Sequence, residues 1–141
     1  MKILLAVDGS RYTKKMLGYL VTHDETFAAN NNEFTLFTAH PPLPGHARTA
    51  LGKGVADKYH ADEAERVLAP VSKFLTRHGI DAKSAWKVGH AGEVIANFAQ
   101  AGKFDLVLMG SHGHGALANL VMGSVTTQVL AHCKVPVLLV R

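Results

Sequence analysis

The chain has 141 residues, enough for one domain with a substantial buried core. Apolar residues make up 48% and charged residues 18%, which describes a globule rather than a disordered or membrane-embedded chain. The net charge of +4 is scattered with no run of five or more like charges, so nothing marks a nucleic-acid tail.

In chain order, Ile3–Val7 is a continuous apolar run that stops at the turn cluster Asp8-Gly9-Ser10, as a strand buried on both faces does. Tyr12, Met16, Leu17, Tyr19, Leu20 and His23 then recur at helical spacing, with Ser10 placed to cap the start. Asn30-Asn31-Asn32 breaks the chain before a second strand, Phe34–Ala39, which Pro41, Pro42, Pro44 and Gly45 end. Residues 41–57 read as an irregular, mobile surface segment because Gly45, Gly52 and Gly54 resist regular structure. Ala64, Val67, Leu68, Val71 and Leu75 form one helical stripe, with Pro70 expected to kink it and Gly79 to stop it. Ala82–Val88 is a weaker strand in which Trp86 reads as a packing residue. Gly92–Ala101 is a short helix, Leu106–Met109 a buried strand, Val125–Ala131 a helix and Val135–Val140 a last apolar strand. This alternation predicts a mostly parallel α/β sheet with helices on both faces, in one domain over 1–141. The opening run is too short to span a membrane and carries no cleavage pattern, so the expectation is a cytoplasmic protein.

The most informative stretch is Met109-Gly110-Ser111-His112-Gly113-His114-Gly115, followed after seven residues by Gly123-Ser124-Val125. It leaves a buried strand and enters a helix. Glycines let backbone N–H groups converge on an anion, and a helix start adds unpaired donors with partial positive charge. Ser124 is placed either to cap that helix or to donate to a phosphate. No Asp or Glu follows Asp105, and Lys134 and Arg141 are the only permanent cations there. An anion would therefore rest on backbone amides, with His112 and His114 as helpers. Three or four such bonds contribute roughly 5–10 kcal/mol before association costs, against about 8 for micromolar binding. The same glycines would also serve a plain strand-to-helix turn. There is no G-x-x-x-x-G-K-[ST], and Gly113-His114-Gly115-Ala116-Leu117-Ala118 mimics a dinucleotide fingerprint without the acid that should follow.

The spacing Gly110-x2-Gly113-x9-Gly123-Ser124 resembles the G-x2-G-x9-G-[ST] signature of ATP-binding universal stress proteins. The resemblance runs over the whole chain, including the opening strand into Asp8-Gly9-Ser10 and the closing Val135-Pro136-Val137-Leu138-Leu139-Val140. It implies a five-stranded parallel sheet of order 3-2-1-4-5, like the adenine-nucleotide alpha-hydrolase fold. It places adenosine contacts on Ala6, Val7, Asp8 and Ala39. Phosphate and ribose contacts fall on Met109, Gly110, Ser111, His112, Gly113, Gly123, Ser124 and Val125. Position 114 departs from the pattern, since many relatives carry Arg or Lys there. A histidine at 114 predicts phosphate affinity that strengthens toward pH 6. The implied ligand is ATP or another adenine nucleotide, with Mg²⁺ arriving on phosphate oxygens. The implied assembly is a homodimer through the apolar last strand.

The leading expectation is a nucleotide-binding regulatory or stress-response protein. A slow ATPase or nucleotide hydrolase is the alternative, and a structural or chaperone-like dimer with a vestigial loop is the third. His112-x-His114 alone makes a poor metal site. Cys133, the lone cysteine, reads as packing at a helix end.

Overall fold

Alternating side-chain direction along the first strand sets up two cores, one on each face of a single sheet. The computed structural model describes residues 1–115, 119 and 121–141. Strand β1 (Lys2–Ala6) is followed by α1 (Arg11–Thr22), α2 (Asp24–Phe27), β2 (Glu33–His40), α3 (Gly45–Leu51) and α4 (Lys53–Arg77). Then come β3 (Ala82–Val88), α5 (Ala91–Ala101), β4 (Leu106–Gly110), α6 (Ser124–His132) and β5 (Val137–Val140). The sheet order is β3-β2-β1-β4-β5, and every pairing is parallel. The central register sets Leu5 beside Leu36 on one side and Leu108 on the other.

Because successive strand residues point to opposite faces, Ile3, Leu5 and Val7 join Leu17, Leu68 and Val71 under α1 and α4. Leu4 and Ala6 join Phe37, Ile95, Val107 and Val129 under α5 and α6. Ile3, Leu4, Leu5 and Leu108 are fully buried. At about 1.5–3 kcal/mol per buried side chain, this two-sided burial explains why the central strands are unbroken apolar runs.

Ser10 caps α1 as its position predicts, its hydroxyl accepting from Tyr12 N–H at 3.3 Å. The buried stripe Thr13, Met16, Leu17, Leu20 faces the sheet. Helix α4 is one helix across Pro70, which lies on the exposed side, so the ladder bond it removes from the Arg66 carbonyl is lost where water can replace it.

Residues 41–44 are irregular as expected, but 45–57 are not. They hold α3 and the first turn of α4, and Gly45 and Gly54 lie inside those helices. Only Gly52, at φ 78°, has the left-handed backbone that breaks a helix. The run His46-Ala47-Arg48-Thr49-Ala50-Leu51 forms a turn and a half with no buried residue. Trp86 also departs from expectation: β3 is an edge strand, and Trp86 is 38% exposed and stacks on His40. β5 is the opposite edge, its apolar side chains half-buried. Among the described residues no helix is long and apolar enough to cross a membrane.

Candidate functional site

From β1 the chain moves outward through β2 and β3, then returns to β4 and β5 on the other side. The reversal between β1 and β4 opens a crevice beyond their carboxyl ends, where ligands of such sheets bind. In this protein the crevice is a cleft of about 350 Å³, within the range of small-molecule sites. It gathers Ala6, Val7 and Asp8 from the end of β1, Ala39 from β2, and Met109, Gly110, His112, Gly113 and His114 from β4 and its loop. Gly123, Ser124 and Val125 close it from the start of α6.

Of the residues singled out from the sequence, Ser111 alone does not line the cleft; it is 1% exposed. Its N–H donates to the Val140 carbonyl at 2.8 Å, and its own carbonyl accepts from Gly123 N–H at 2.8 Å. Ser111 therefore splices β5, the loop and α6 together. Thr126 reinforces the splice by donating to the carbonyls of Ser111 (3.1 Å) and Gly110 (3.3 Å). The loop ends meet so closely that a Cβ on Gly123 would lie 3.2 Å from His112 Cα. The interior of the loop at 116–118 and 120 lies outside the described residues, and with it the dinucleotide-like stretch Ala116-Leu117-Ala118.

Helix α6 begins with Gly123 as N-cap, and no side chain caps it. Ser124 is thus not a cap, and it lines the cleft. The first ladder bond of α6 runs from Thr127 N–H to Gly123 O, so the amides of the first turn before it carry the partial positive charge of a helix start.

Asp8 is held in place from its own strand end. Its Oδ1 accepts from Ser10 N–H and from the Thr13 hydroxyl, both at 2.9 Å, while its N–H donates to Thr13 Oγ1 at 3.1 Å. This Asx turn aims Oδ2 across the cleft, 2.6 Å from where a Cβ on Gly113 would stand. The stretch after Asp105 is free of acids in sequence but not in space, because Asp8 faces Gly113. His114 donates from Nε2 to the Asp8 carbonyl at 2.8 Å, since a carbonyl only accepts. The loop is therefore tied to β1 by a second contact. His112 bonds Ser111 Oγ through Nδ1 at 2.8 Å and lies against the Tyr12 ring, centroids 4.7 Å apart.

Sequence reasoning missed Thr13, Ala91, Ile95, Gly115 and Thr126, all of which line the cleft. Asp8-x4-Thr13 was a visible signal for a locked Asx turn. Ala91 and Ile95 carried none, because their exposure to the cleft depends on how α5 crosses the sheet. The lining is apolar toward β2 and α5 (Ala39, Ala91, Ile95), and it is glycine, hydroxyl and amide along the β4 loop and the start of α6. Among the described residues no group of three or more potential metal ligands exists.

Behind Ala39 the next residue, His40, turns to the opposite face and stacks on His60 of α4, centroids 5.1 Å apart. His40 Nε2 and His60 Nδ1 are buried without a hydrogen-bond partner among the described residues. Burial holds the His40 imidazole below its ordinary 6.5, and His60 pushes it the same way against the pull of Glu63. The unfolded chain therefore binds the proton more readily than the fold does. Stability is fully present above about pH 6.5 and falls as pH drops below it. Urea denaturation should give a lower midpoint at pH 5.5 than at pH 7.5, with a smaller difference in His40→Phe.

The architecture defines a parallel α/β protein whose ligand crevice lies at the β1–β4 switch point. The chain belongs to the Universal stress protein family, whose profile matches residues 1–141. It is 34% identical to the Synechocystis universal stress protein Slr1230 over 99% of this chain, and it spans 42% of that longer relative. The solved structure of the Methanocaldococcus jannaschii protein MJ0577 superposes with a TM-score of 0.80 at 27% identity, covering 99% of this chain and 94% of that one. A universal stress protein solved in complex with cAMP shares the fold at a TM-score of 0.64 and 22% identity, covering 100% of this chain and 96% of that one.

Proposed function

We propose that this protein binds an adenine nucleotide, ATP in particular, in the β1–β4 crevice, and that the bound nucleotide serves regulation rather than rapid turnover. The observation that carries the reading is the cleft's division into an apolar side and an amide-lined side joined by one carboxylate. The apolar side suits a purine, and Asp8 Oδ2 is placed to accept from the ribose or base edge. The Gly110–Gly113 backbone and the α6 start suit phosphates. A family member solved with cAMP supports the choice of adenine nucleotide.

Among the described residues no lysine lines the cleft, and the one carboxylate among them, Asp8, already accepts two hydrogen bonds through Oδ1. Nothing there is arranged to aim a water at a phosphorus. Mg²⁺, where present, would be held by phosphate oxygens. The test is to release and identify any small molecule from freshly purified protein, then follow added ATP over hours with and without Mg²⁺. Bound ATP that persists supports the reading. Steady release of ADP, lost in Gly113→Val, would make the protein an ATPase instead.

The half-buried apolar edge Val137–Val140 supports a two-fold homodimer formed by pairing β5 with its copy. Light scattering should give twice the chain mass, and a Leu138→Lys variant should give the monomer.

A further inference from the structure

Asp8 and His114 line a second cavity as well as the crevice. On the far side, α1 and α4 pack on the sheet rather than on each other, leaving a groove of about 580 Å³ between them. Both helices descend from the carboxyl edge of the sheet, so their residue order gives the groove a top and a bottom. At the top are Asp8, His114 and Gly9, whose added Cβ would lie 3.9 Å from Val67, the residue after Arg66. At the bottom, the walls are Leu17, Val71 and Phe74.

Two cations and one acid line the groove. Lys14 lines it from α1 and makes no ion pair among the described residues. Arg66 lines it from α4, its guanidinium 2.9 Å from Glu63 at the surface. Asp8 is the only acid among the lining residues, and its Oδ2 points across to Gly113 on the crevice side. An apolar trough with cations at its upper rim complements a molecule with an alkyl body and an anionic head.

We propose that this groove is a second ligand site, taking an amphipathic carboxylate with its chain on Leu17, Val71 and Phe74 and its head at Lys14 and Arg66. Asp8 and His114 form the wall common to groove and crevice, so occupancy of the groove is coupled to the nucleotide. That coupling, unlike the site itself, rests on the nucleotide reading above.

Decanoate is the probe, titrated into the intact chain by calorimetry without nucleotide. One saturable site is expected, with decanol binding about tenfold or more weaker because it lacks the charge. Lys14→Glu, an exposed position, should weaken decanoate about tenfold or more. Val67→Trp should fill the groove and remove binding; a melting curve confirms that this variant folds, and Lys14→Glu decides if it does not. Absence of saturable decanoate binding, equal affinity for decanol, or unchanged affinity in the variants would each overturn the site. Saturating decanoate should also shift ATP affinity severalfold, with ATP shifting decanoate by the same factor. ATP binding that ignores decanoate would overturn the coupling. Decanoate binding with no ATP binding would instead keep the site and count against the nucleotide reading alone.

Discussion

Gly110→Val is expected to lower the melting temperature by about 4–12 °C, or to prevent folding. Gly110 ends β4 in full burial, and an added Cβ would lie 2.6 Å from Tyr12 Cβ and 3.0 and 3.1 Å from the Tyr12 backbone carbon and oxygen. Backbone atoms cannot rotate aside, so α1 would have to lift off β4. Overpacking of this kind costs about 1–3 kcal/mol and sometimes more, against a total stability of only about 5–15. Each lost kcal/mol lowers the melting temperature of a domain this size by roughly 4 °C. Thermal unfolding followed by circular dichroism checks it. Gly18→Ala is the control: nothing lies within 4 Å of its Cβ inside α1, so the helix should gain about 0.5–1 kcal/mol.

Gly113→Val should do the opposite, keeping the fold and losing the ligand. Its Cβ would meet Asp8 Oδ2 at 2.6 Å, and Asp8 cannot swing away without breaking the bonds that Ser10 N–H and Thr13 Oγ1 make to its other oxygen. The loop must yield instead, which moves its amides away from a common focus. If two phosphate bonds are lost at about 1.5–3 kcal/mol each, ATP affinity falls by roughly two to four orders of magnitude. The melting temperature without ligand should stay within a few degrees, because Gly113 lies in a partly exposed loop. Unchanged ATP affinity in a folded Gly113→Val would remove the loop from the binding site.

These two glycines show what the sequence made legible and what it hid. Both stand out as glycines between a buried strand and a helix, yet their roles differ by neighbour: Tyr12 for one, Asp8 for the other. Such neighbours come from residues a hundred positions away, and no local pattern announces them. The strands at Ile3 and Leu108 were legible because burial on both faces leaves an unbroken apolar run, and the strand at Leu36 because Asn30-Asn31-Asn32 and Pro41 bound it. The strand order came with the family signature. The segment 45–57 was misread because glycine was counted as a breaker wherever it occurred. Gly45 and Gly54 sit in ordinary helical backbone, and only the φ of 78° at Gly52 divides α3 from α4. Ser111 was assigned to the ligand on position in a motif. Its buried place between Val140 and Gly123 makes it part of the frame that holds the loop.

The amide-lined side of the crevice gives the most direct test, because it should add affinity only for ligands that carry phosphates. Calorimetric titration of the wild-type protein with ATP and, separately, with adenosine isolates that contribution. The account predicts micromolar binding of ATP and adenosine weaker by about a hundredfold or more, from two or more charge-assisted bonds. Equal affinities for the two, or no binding of ATP at about a thousand times the micromolar range, would contradict a phosphate-holding loop at Gly110–Ser124.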